Sequence, residues 1–85
     1  MNTESKVVLA KHEQFIKERS LLKNVSPATA EWHRQSLRWL GVESPTQEDL
    51  NSFVFRMREA NLSPASVNNR IRSVNAYLHW LLAVT

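Results

Sequence analysis

The chain has 85 residues, 42% of them hydrophobic and 22% charged, with one glycine, no cysteine and a formal net charge of +3. That length makes one small domain burying roughly 60–65% of its unfolded surface, too little to enclose a roomy active site. Without cysteine there is neither a disulfide framework nor a thiolate metal site, and His12, His33 and His79 are too far apart for a local ligand pair, so no metal or other cofactor is expected. The glycines and Asn-Gly or Asp-Gly pairs that tight hairpins draw on are missing, which leaves an all-α fold as the expectation.

The apolar residues 7–10 are too few for a signal peptide, and the later run Trp80 to Val84 is far short of the ~20 residues of a membrane span. The expectation is a soluble, cytoplasmic protein with no membrane partner.

The first helix is read over residues 4–22, followed by Asn24, which tolerates a left-handed conformation. Val25-Ser26-Pro27 then places a serine at an N-cap and a proline at the first helical position, which opens a second helix over 27–40 closed by Gly41. Thr46, with Asp49 three residues on, forms a capping box for a third helix over 47–60, and Asn61 follows it. Leu62-Ser63-Pro64 repeats the earlier start signal and opens a fourth helix over 64–82. In both Ser-Pro starts the apolar residue before the cap can staple onto the fourth helical residue, Val25 on Ala30 and Leu62 on Val67.

Helical spacing assigns the inner faces: Val8, His12, Phe15, Arg19 and Leu22; Ala30, His33, Leu37 and Leu40; Leu50, Phe53, Val54 and Met57; and Val67, Ile71, Val74, Leu78 and Leu81. Together they describe one four-helix core.

The segment Asn24-Val25-Ser26-Pro27-Ala28-Thr29 recurs with conservative changes as Asn61-Leu62-Ser63-Pro64-Ala65-Ser66, an offset of 37. A repeated helix pair explains it, and so does one good capping solution used twice. On either account the second and fourth helices begin alike. Thr29, Trp32 and Ser36 then map onto Ser66, Asn69 and Ser73, two triplets beside the apolar stripes.

Charge is unevenly placed, since residues 60–85 contain no acid and carry Arg70 and Arg72. Short hydroxyl and amide side chains on a helix can approach a DNA groove, and flanking arginines can take phosphates. The plainer account of Trp32 is that it and Trp39, seven apart, pack against a neighbouring helix.

The run Phe15-Ile16, Ser26-Pro27-x-Thr29 with Leu37 and Leu40, Thr46-x-Glu48-Asp49-Leu50 with Phe53, and Ser63-Pro64-x-Ser66-Val67-Asn68-Asn69-Arg70-Ile71 with Val74, Tyr77 and Trp80-Leu81 resembles the amino-terminal core-binding domain of tyrosine recombinases, the phage-integrase group. The likeness runs over residues 8–82 and rests on the order and spacing of four segments, none unique alone. It implies a SAM-like four-helix bundle built from two helix pairs, which clamps duplex DNA through helices 2 and 4 and positions it for site-specific recombination and DNA integration.

By the same resemblance the DNA-facing positions are Thr29, Trp32, Ser36, Ser66, Asn69, Arg70 and Ser73, with Arg38 and Arg72 as phosphate contacts. The partner is then double-stranded DNA with no small-molecule ligand, and an isolated monomeric domain belongs to a parent that oligomerises on DNA. His33 stands where relatives often have an aromatic and reads as a hydrogen-bonded core histidine, and Ser66 replaces the commoner threonine. Strand cleavage in this family needs a separate domain with a nucleophilic tyrosine and a basic set, so this domain is expected to be noncatalytic. Tyr77 reads as a packing residue with its hydroxyl at the edge of the core.

Two other readings compete: a helical protein-interaction module whose exposed Trp32, Trp39 and Trp80 mark a partner surface, and a helix-turn-helix regulator. The second fits less well, because two equivalent helices carry the candidate face instead of one recognition helix.

Overall fold

The structure, a computed structural model, describes residues 9–85. It contains four helices, α1 (Ala10–Leu22), α2 (Pro27–Leu40), α3 (Gln47–Glu59) and α4 (Pro64–Val84), and no strand among the described residues. The domain is all-α. The sequence predicts a first helix running unbroken from residue 4, but Leu9 is extended (φ −83°, ψ 121°) and α1 begins only at Ala10; the core position expected for Val8 lies outside the described residues.

The starts of α2, α3 and α4 follow from local chemistry, whereas α1 begins after Leu9 with no side-chain cap. Ser26 and Ser63 hold extended backbone at the N-caps of α2 and α4, and each side-chain oxygen accepts from the backbone N–H three residues on, Thr29 and Ser66, at 3.2 Å. Pro27 and Pro64 occupy the first turn, where a missing N–H costs nothing. At α3 the capping box is complete: the Thr46 hydroxyl accepts from Asp49 N at 3.1 Å, and the Asp49 carboxylate accepts from Thr46 N at 2.9 Å.

The chain leaves its first three helices in the left-handed region, at Asn24 (φ 57°), Gly41 (φ 74°) and Asn61 (φ 64°). A Cβ on Gly41 would meet only the Arg38 carbonyl at 3.8 Å, so it is the backbone angle, not space, that favours glycine there. Val25 and Leu62 are partly buried and pack against the core.

α2 and α4 pack on each other and on both remaining helices, whereas the backbones of α1 and α3 are not neighbours. Exchanging the pair α1–α2 with the pair α3–α4 maps every one of these packings onto another, so the contact pattern has the symmetry that the 37-residue repeat suggests. The core contains Phe15 and Ile16 from α1, Ala30, Leu37 and Leu40 from α2, Phe53 and Met57 from α3, and Val67, Val74 and Tyr77 from α4.

Two expectations about facing are corrected. Leu22 is 75% exposed at the rim of a shallow groove beside Phe15, Ala76 and Trp80, and Ile16 fills the interior instead. On α4 the buried face is rotated towards α2: Ser73 and Tyr77 are fully buried, while Ile71, Leu78 and Leu81 are only partly so. The cause is polar. The Tyr77 hydroxyl donates to the Glu43 carbonyl at 2.5 Å, and Ser73 bonds to α2, so both sink deeper than the aliphatic stripe suggests.

Loss of either serine cap, Ser26→Ala or Ser63→Ala, is expected to cost about 1 kcal/mol. In a domain of this size that lowers the thermal midpoint by about 4–8 °C, which a circular-dichroism melt resolves.

Candidate nucleic-acid interface

The nine residues marked in the sequence do not share one surface. Trp32, Ser66, Asn69 and Arg70 line a groove of about 300 Å³ between α2 and α4, together with Trp39 and Leu62. Arg38 lines an adjoining groove of about 680 Å³ with Gln35, Arg56 and Gly41, and the two grooves share Trp39 and Arg70. Thr29 stands at the first turn of α2, where its hydroxyl accepts from Ser26 Oγ at 3.2 Å, as Ser66 accepts from Ser63 Oγ at 3.1 Å. Arg72 is exposed and, two residues from Arg70, points to a different side of α4.

Ser36 and Ser73 must be corrected, because both are 0% exposed and neither can meet a ligand at the surface. They lie where α2 crosses α4. Ser36 Oγ donates back to the Trp32 carbonyl at 2.8 Å and accepts from Arg70 Nη1 at 3.2 Å, while Ser73 Oγ pairs with His33 Nδ1 at 2.6 Å. Adding 37 to His33 gives Arg70, and adding 37 to Ser36 gives Ser73. The two bridges are one interaction used in both directions: position 33 of α2 reaches Ser73 of α4, and its counterpart on α4 reaches Ser36 of α2. Small serines at this crossing let the helix backbones approach while the long partners span from the other side.

Arg70 is held further by the Trp32 carbonyl at 3.3 Å and Gln35 Oε1 at 3.1 Å. Three of its five N–H donors are therefore engaged within the domain and two are left for the groove. Arg56 of α3 donates to the Trp39 carbonyl near the C-terminus of α2, where a cation also complements the helix dipole. The three arginines of the larger groove come from three different helices. Gln35 and Trp39 follow Trp32 at helical spacing and could have been added from periodicity; Arg56 could not, since only packing brings α3 alongside.

The tryptophans are half-buried, not exposed as the interaction-module reading expected. Trp32 leans on the His33 ring, centroids 4.8 Å apart, while Trp80 donates from Nε1 to Glu18 at 2.8 Å and stacks on Tyr77. Among the described residues the large exposed apolar side chains are Leu21, Leu22, Phe55 and Leu82, with Val84 partly so.

Desolvation, with the Arg19 charge adding to it, pushes His33 down to about 4. His12 is also lowered, chiefly by burial, although its Nε2 donates to the Val42 carbonyl at 2.8 Å. The Tyr77 phenol is pushed up to about 12, first by burial and then by Glu43. Among the described residues no group of three or more His, Cys, Asp or Glu side chains is placed to hold a metal ion, and no helix is long and apolar enough to cross a membrane.

No protein-family model, curated protein or solved structure gives a significant match to this chain.

Because folding lowers the pKa of His33, the unfolded chain binds more protons between about pH 6.5 and pH 4. Stability is fully present above that window and falls as pH drops through it, by at most about 1.4 kcal/mol per pH unit for this one group. Urea denaturation at pH 7 and pH 5 measures the loss, and His33→Gln is expected to flatten the dependence. Ser73→Ala, which leaves the buried His33 Nδ1 unpaired, is expected to cost about 1–3 kcal/mol at pH 7.

Proposed function

We propose that this domain is a DNA-binding module of the tyrosine-recombinase core-binding type, which holds duplex DNA through α2 and α4 and positions it for site-specific recombination. The observation that carries this reading is the convergence of the two repeat-related helices, α2 and α4, on one groove lined by Trp32, Ser66, Asn69 and Arg70, continuous with a second that adds Arg38 and Arg56. Arginine suits this task because its planar head presents several donors to phosphate oxygens or to a guanine edge. The absence of acidic residues over positions 60–85 keeps the α4 side of the groove free of charge that would repel a phosphate backbone.

In this reading the module is noncatalytic and acts in the cytoplasm within a longer recombinase, which assembles on DNA and supplies the nucleophile from a separate domain. Arg38, Arg56 and Arg70 are the phosphate contacts of the grooves, with Asn69 and Ser66 nearest the bases, whereas Arg72, on a different side of α4, has no contact role at this face. Ser36 and Ser73 support the surface from inside and have no contact role.

A specific observation favours a second reading, a protein-interaction module. It is the exposure of Leu21, Leu22, Phe55 and Leu82, large apolar side chains lying outside both grooves. Sedimentation separates the two readings, because this one requires self-association or partner binding that salt leaves unchanged.

Titration of the isotope-labelled domain with duplex DNA is expected to shift amides of α2 and α4. With about three phosphate contacts, the slope of log affinity against log salt is expected to be about −2.7. Absence of shifts at low salt removes the DNA reading.

A further inference from the structure

The smaller groove combines apolar and polar walls, and a regular duplex laid along it would engage its polar groups and leave its tryptophans without a partner. It is a concavity of about 300 Å³ between two helices, with Trp32, Trp39 and Leu62 as its apolar walls and Ser66, Asn69 and Arg70 as its polar groups. A duplex offers only base edges, recessed in its grooves, and keeps the base faces stacked inside. The flat hydroxyl row that would follow a major groove is missing, since Ser36 and Ser73 are buried at the α2–α4 crossing.

We propose that this groove receives a single unpaired nucleotide of a DNA duplex, with its base against Trp32 and Asn69 and a flanking phosphate against Arg38 and Arg70. The proposal deepens the DNA-binding reading and rests on it. An unstacked base exposes both a π face and a hydrogen-bonding edge. Trp32 offers a ring for the face, already braced by His33 at a centroid distance of 4.8 Å. Asn69 offers an amide for the edge, a donor and an acceptor side by side, and the amide makes no hydrogen bond among the described residues.

The flanking phosphate has its own place. The neighbouring arginine groove shares Trp39 and Arg70 with the pocket, so a strand leaving the base site passes directly between Arg38 and Arg56. Arg70 is fixed by its three bonds to α2 before any ligand arrives, which lowers the ordering cost of binding. Arg38 is exposed and forms no ion pair among the described residues.

Fluorescence anisotropy with two labelled DNAs, a perfect duplex and the same duplex carrying one extra unpaired thymidine, tests the proposal. The expected result is roughly tenfold tighter binding to the interrupted duplex, of the size aromatic–base stacking supports, with quenching of tryptophan emission. Trp32→Ala is expected to bring the affinity ratio of the two DNAs close to one, and Trp32→Phe to restore it, with far-UV circular dichroism confirming that both variants fold. Equal affinity of the unaltered domain for the two DNAs overturns the proposal and leaves duplex binding standing. Failure to bind either DNA overturns both.

Discussion

The crossing of α2 and α4 is the constraint on which the other features depend. Two serines, each fully buried, meet long polar partners from the opposite helix, His33 to Ser73 and Arg70 to Ser36. Buried hydroxyls and an imidazole are costly unless paired, and here every buried side-chain polar atom of the described residues has a partner. The pairing fixes how deep α4 sits and which way it is turned. It also accounts for Tyr77 entering the core while Ile71 and Leu78 stay at its margin.

The same crossing shapes the surface. By drawing Ser36 and Ser73 inwards it leaves a cleft between the helices where a continuous polar face would otherwise run. Trp32 and Asn69, related by the repeat offset, become opposite walls of that cleft. Arg70 belongs to both structures at once: its bonds to Trp32, Ser36 and Gln35 tie the helices together, and the same guanidinium lines both grooves. Structural and binding duties are thus carried by one side chain, and substitution of Arg70 disturbs both together.

The two helix pairs differ where function would need them to. At the repeat position that is histidine in α2 there is arginine in α4, so the two bridges have the same connectivity but differ in charge, one neutral and one cationic. His33 is held neutral by burial and by the nearby Arg19 charge, and its bridge stays interior; the Arg70 bridge is partly exposed and brings a permanent charge to the groove. A symmetric framework with asymmetric chemistry gives the domain one cationic groove instead of two equivalent ones.

Apart from the start of α1, which has no side-chain cap, helix starts and stops were legible in the sequence because they are local. A serine before a proline, a threonine three residues before an aspartate, and glycine or asparagine after an apolar turn act within a few residues, and the structure places caps at Ser26, Thr46 and Ser63 and left-handed turns at Asn24, Gly41 and Asn61. The inner face of α2 was legible too, because Ala30, His33, Leu37 and Leu40 keep helical spacing around a single apolar stripe. The rotation of α4 was not. A serine and an asparagine one turn apart look equally polar along the chain, and only the His33 ring waiting across the crossing makes one of them interior. The sequence by itself therefore determined four helices, the starts of the last three and the repeated Ser-Pro capping of α2 and α4, since these rest on contacts between near neighbours. The tertiary structure alone decided which polar residues are buried and which line a groove, because that depends on partners about 35–40 residues away.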